Sequence, residues 1–125
     1  MKKIIYTAHA PEPIGPYSQA VLVNDTLYVS GQIAIAPETG KIVDDNIDVE
    51  TEQVLQNLKA VLAAADMDFS NVVKTSIFLS DMDLFAKVNE IYGKCFSADF
   101  PARETVAVRT LPKNVNVEIS VVAVK

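Results

Sequence analysis

The chain has 125 residues, 50% of them hydrophobic and 22% charged, with 16 acidic against 11 basic groups and a formal net charge of −5. That length holds one core burying roughly two thirds of the unfolded chain's surface, and the composition excludes a disordered or membrane-embedded chain. The acidic balance repels nucleic acid and anionic lipid, and the single cysteine, Cys95, excludes an intrachain disulfide and a thiolate metal cluster.

Residues 1–125 are therefore expected to form a single domain. No apolar run approaches the ~20 residues of a membrane-spanning helix, and Met1 to Tyr6 lacks the apolar core of a signal peptide, so a cytoplasmic location is expected. Lys2 to Tyr6 is a short β-prone start. Ala8 to Pro16 holds Pro11, Pro13, Gly15 and Pro16 and predicts an ordered loop. Tyr17 to Ser30 reads as a hairpin turning at Asn24-Asp25, and Gly31 at its end lets backbone approach a ligand or another chain closely.

Asp44 to Asp48 leads into a first helix, with Asp48 the expected N-cap and Glu50 and Glu52 placed to complement the positive helix end. Val54, Leu55, Leu58, Val61, Leu62 and Ala65 recur at three- and four-residue spacing as one apolar stripe. Val72 to Leu79 predicts a strand. A second helix starts near Asp81 or Asp83, buries Phe85, Val88, Tyr92 and Cys95 or Phe96, and ends before Pro101. Asn89 lies at the edge of that stripe, where an amide needs partners; a bond to a nearby loop is the plain expectation.

The segments Phe100–Val108 and Val115–Val121 alternate apolar and polar residues on either side of a turn at Pro112, the pattern of adjacent strands. Alternation puts Val106 and Val108 on one face and Arg103 and Thr105 on the other, with Asn116, Glu118 and Ser120 opposite Val115, Val117, Ile119 and Val121. If the apolar faces coincide, Arg103 and Glu118 share the remaining face. There they form either a surface ion pair or a ligand site, with the guanidinium clamping a carboxylate and Glu118 handling a water. Two helices cover only one side of such a sheet. The bare side predicts a homo-oligomer, with a site containing Arg103 near a subunit boundary.

Little other chemistry is encoded. His9 has no nucleophile pattern beside it, Asp66/Asp68 and Asp81/Asp83 read as helix caps, and Cys95 reads as a small buried hydrophobe. No zinc ligand set, phosphate loop or dinucleotide fingerprint occurs, so neither a metal nor a cofactor is expected.

The stretches Ala10–Ala20, Tyr28–Ile33, and Pro101-Ala102-Arg103 through Val117-Glu118-Ile119 closely resemble the reactive intermediate deaminase family, in particular its imine deaminase group. The resemblance implies an α+β, chorismate-mutase-like fold, a six-stranded mixed sheet with two helices packed on one face, assembled as a homotrimer with sites between subunits. It also implies cofactor-independent hydrolysis of 2-imino acids, such as 2-iminobutanoate and 2-iminopropanoate, to 2-oxo acids and ammonia. Carried over by motif, Arg103 binds the substrate carboxylate and Glu118 holds the attacking water, while Tyr17, Ser30, Gly31, Asn89 and Thr105 line the pocket. Thr105 stands where many members have cysteine. Glu104 departs from the small residue usual there and is expected to turn away from Arg103. The same pocket also fits a non-catalytic regulator binding 2-oxo acids. A chorismate mutase would need more cations than Arg103 supplies, and a nuclease conflicts with the net charge.

Overall fold

The computed structural model describes residues 1–125, folded as a six-stranded sheet with two α-helices against one face. The strands are β1 (Lys2–Ile5), β2 (Ala20–Val23), β3 (Thr26–Gln32), β4 (Val72–Leu79), β5 (Ala102–Ala107) and β6 (Val117–Val124); the helices are α1 (Ile47–Ala64) and α2 (Phe85–Gly93). Their sequence along the chain is the expected one. No helix is long and apolar enough to cross a membrane.

The β2–β3 hairpin turns at Asn24, whose φ of 53° suits an asparagine in a tight turn. The N-cap of α1 is Asn46 rather than the expected Asp48: its Oδ1 accepts from the Val49 N–H at 3.0 Å, leaving Asp48 in the first turn. The predicted stripe is buried against the sheet. Asp68 and Asp81 cap single 3₁₀ turns, accepting from the N–H groups of Ser70 and Asp83 at 2.8 Å each. In α2, Val88, Ile91 and Tyr92 are buried, while Phe85 is half-buried and Asn89 is exposed.

The sheet order is β1-β2-β3-β6-β4-β5, with β4 and β5 parallel and every other pair antiparallel. β5 and β6 are therefore not neighbours, because β4 lies between them. Thr75 stands opposite Arg103 and Ile77 opposite both Thr105 and Ile119, which puts Arg103 and Thr105 on the helix-covered face. Phe78 stands opposite both Val106 and Glu118, which puts Glu118 on the bare face. The expectation that Arg103 and Glu118 share a face is thus overturned. β5 is an edge strand, and its Val106 looks away from the core instead of into it. The bare face also carries exposed Ile4, Tyr28 and Val106.

Candidate functional site

The expected site residues fall into two groups on opposite sides of the sheet. On the helix side, Arg103 donates from Nη1 to the Asn89 Oδ1 at 2.7 Å. Its guanidinium carbon lies 5.1 Å from the Tyr92 ring centroid and 5.6 Å from that of Phe85. One amide and two ring faces thus hold the guanidinium without neutralising it, leaving donors free for an anion. Asn89 bonds Arg103 rather than a loop, and Phe85 and Tyr92 flank it at the spacing of one helical turn. The Tyr92 hydroxyl donates to the Thr75 Oγ1 at 3.1 Å, fixing the ring; burial pushes its pKa up, so the phenol stays neutral. Thr105 follows Arg103 on the same face, and its buried hydroxyl has no hydrogen-bond partner.

On the bare side, Glu118 packs over Gly31. The β3–β6 register shifts between Val29 and Gln32, so Ser30 and Gly31 form an irregularity beside β6. A Cβ on Gly31 would lie 2.8 Å from the Glu118 Cδ and 3.1 Å from its Cγ, so only glycine leaves the carboxyl where it is. Burial raises the Glu118 pKa above the usual carboxylate range. The Ser30 hydroxyl donates to the Ser18 carbonyl at 2.6 Å, tying the bulge to the loop carrying Tyr17. The Tyr17 ring is half exposed, and its hydroxyl accepts from the Ile14 N–H at 3.4 Å. Glu104 does turn away from Arg103: it pairs with Lys74 at 2.9 Å and accepts from the Ser76 hydroxyl, which together lower its pKa.

One expected group is thus Arg103, Asn89 and Thr105, and the other is Tyr17, Ser30, Gly31 and Glu118; the sheet separates them. A groove of about 1110 Å³ runs along α1 between His9, Glu38, Glu52 and Lys59 and borders neither Arg103 nor Glu118. Nowhere do three His, Cys, Asp or Glu side chains gather as metal ligands do. Cys95 is half-buried with its pKa raised by burial, which disfavours the thiolate.

Sequence reasoning missed three supporting side chains. The spacing of Phe85 and Tyr92 places them in the core and does not reveal a guanidinium stacked on them. Gln19 is buried and clamps the loop before Tyr17, accepting from the Thr7 N–H at 2.7 Å and donating to the Thr7 and Pro11 carbonyls at 3.0 and 2.9 Å. A glutamine directly after Tyr17-Ser18 was the only available signal.

Residues 7–125 match the model of a protein family described as endoribonuclease L-PSP. The chain is 47% identical over 125 residues to the human 2-iminobutanoate/2-iminopropanoate deaminase, covering 100% of this chain and 91% of that one. It is 50% identical over 121 residues to a putative regulator, AldR, of Lactococcus lactis, covering 97% and 96%. Among solved structures, Escherichia coli TdcF with bound serine superposes with a TM-score of 0.94 at 38% identity, covering 98% of each chain.

Proposed function

The chain belongs to the reactive intermediate deaminase family, the group the endoribonuclease L-PSP model describes, and on that premise we propose that it hydrolyses reactive 2-imino acids to 2-oxo acids and ammonia. The substrates are 2-iminobutanoate and 2-iminopropanoate. The observation that carries this reading is the pair of unneutralised groups: a guanidinium held by Asn89 and two rings, and a half-buried carboxyl packed on Gly31 with its proton affinity raised.

The sheet keeps these groups apart within one chain, so the complete site joins the Arg103 side of one copy to the Glu118 side of another. The assembly is a homotrimer that covers the bare face, where Ile4, Tyr28 and Val106 are exposed, with a site at each subunit boundary. Each chain contributes residues 1–125 as one domain and works in the cytoplasm, as its lone, non-nucleophilic cysteine favours. No nucleic acid or membrane partner enters the reaction.

Arg103 holds the substrate carboxylate through two parallel bonds, setting the imine carbon before one water. Thr105, whose hydroxyl lacks a partner, and Asn89 line that side; Tyr17, Ser30 and the Gly31 backbone line the other. Water adds to the carbon of the C=N bond as Glu118 takes one of its protons. Glu118 returns that proton to nitrogen, then takes the hydroxyl proton as the C–N bond breaks and the C=O bond forms, and passes it to the departing ammonia, which leaves as ammonium. Burial raises the Glu118 pKa, which makes its carboxylate a stronger base toward that water. No cofactor takes part, since a protonated imine is already electrophilic.

A second reading is a small-acid-binding regulator using the same groups without turnover, favoured by the relative named as a putative regulator and by the serine in the TdcF structure. Subunit mixing tests the first. Arg103→Ala and Glu118→Gln are each expected to lose turnover of 2-iminopropanoate generated by an amino-acid oxidase. Unfolded together and refolded as mixed oligomers, they recover about a quarter of wild-type activity, because half the subunits supply each intact side at random. No recovery overturns the shared site; wild-type binding of 2-oxobutanoate without imine turnover supports the regulator.

A further inference from the structure

Glu50, in the first turn of α1, is 0% exposed, yet the chain's one ion pair is between Lys74 and Glu104. A carboxylate this deep needs hydrogen bonds in place of water. It has three: the Asn116 N–H at 2.7 Å and the Val117 N–H at 3.1 Å reach its Oε2, and the Asn116 Nδ2 reaches its Oε1 at 2.9 Å. All three partners are donors. A glutamine would turn an NH₂ toward one of them, so the site requires an acceptor on both branches.

The strand so held is the start of β6, and the chain enters it under tension. Lys113 and Asn114 both have a φ of 56°, consecutive left-handed residues without a glycine. Asn116 is also tied on its other side, its carbonyl and Oδ1 each accepting from Ser80 at 3.0 Å. Glu118 follows two residues later, on the face opposite Glu50, against Gly31.

We infer that Glu50 is a positioning residue for Glu118, fixing the start of β6 against the N-terminal turn of α1 so that the Glu118 carboxyl stays over Gly31. The inference rests on the reading of Glu118 as the group that handles water. Glu50→Gln keeps the shape and removes one acceptor. In oligomers whose sites are counted by titration with 2-oxobutanoate, kcat per site is expected to fall about 10- to 100-fold while KM and the 2-oxobutanoate Kd stay within about twofold, because the Arg103 side is untouched. A purely structural role would lower the number of competent sites and leave kcat per site unchanged, and that result overturns the inference. Should Glu50→Gln not fold, Asn116→Ala, which keeps both backbone bonds to Glu50, reads the same quantity: a fall in kcat at constant KM supports the clamp, and wild-type kcat refutes it. Glu118→Gln runs alongside. If it retains wild-type kcat, the reading of Glu118 itself fails; if it is impaired while Glu50→Gln is not, only the clamp fails.

Discussion

Gly31→Ala isolates the contact on which the proposed water-handling group depends. The φ of Gly31 is not one that alanine avoids, so the backbone accepts the substitution. The obstruction is a flexible side-chain end: a new Cβ lies 2.8 Å from the Glu118 Cδ. Restoring an ordinary carbon–carbon contact of about 3.7 Å moves the carboxyl by about 0.9 Å. A misplacement of about 1 Å lowers a positioned reaction by as much as about 100-fold, whereas global stability changes by less than about 1 kcal/mol because the carboxyl swings aside without a backbone shift. Turnover of 2-iminopropanoate at saturation reads the first quantity and thermal melting the second. Gly31→Ala added to Glu118→Gln is expected to cost nothing more, since both act through one carboxyl. A Gly31→Ala protein with wild-type kcat would falsify the placement of the attacking water at Glu118.

Three further outcomes follow from the two sides of the sheet. The proposed base works as the carboxylate, and burial raises its pKa, so kcat rises with pH through a limb lying above the usual glutamate range; the residual rate of Glu118→Gln is flat across that limb. Stability runs the other way, because the folded state favours the protonated form: the Glu118 contribution falls as pH climbs from the unfolded-chain pKa to the raised folded one, and Glu118→Gln removes this slope in melting curves at varied pH. Tyr92→Phe strips the buried Thr75 hydroxyl of its partner and should lower stability by about 1–2 kcal/mol, a few degrees in melting, while leaving 2-oxobutanoate affinity unchanged because the ring still underlies Arg103. Weakened binding would mean that the phenol itself acts in the site.

The strands and helices were legible because each announces itself within a short window. Short β-prone runs bounded by turn residues gave Ala20–Val23 and Val72–Leu79, and the stripe from Val54 to Leu62 gave α1. The sheet order was not legible, since pairing between distant segments leaves no local mark: β5 and β6 follow each other along the chain, yet β4 separates them. That insertion also reversed the faces. Alternation correctly set Arg103 with Thr105 and Glu118 with Ser120, but the apolar row of β5, Val106 included, points to the bare side. At α1, asparagine and aspartate cap equally well, so composition did not choose between Asn46 and Asp48. Arg103 and Asn89 stood out as polar groups on ordered elements, but their bond joins β5 to α2 and has no sequence signature.

The separation of the two charged groups carries a consequence of its own. A guanidinium and a carboxylate facing each other on one sheet side within a chain would close into a salt bridge, and a substrate would have to break it. With Arg103 held by Asn89 and stacked on rings, and Glu118 pressed over Gly31 across the sheet, neither satisfies the other inside a single chain. Each therefore keeps its capacity for a ligand. Glu104, the carboxylate nearest Arg103 in sequence, lies on the other face of β5, paired with Lys74, and so does not compete for the guanidinium. Under the proposed function, placing the two halves on opposite faces makes assembly the event that creates a site, and it keeps the single chain from neutralising itself.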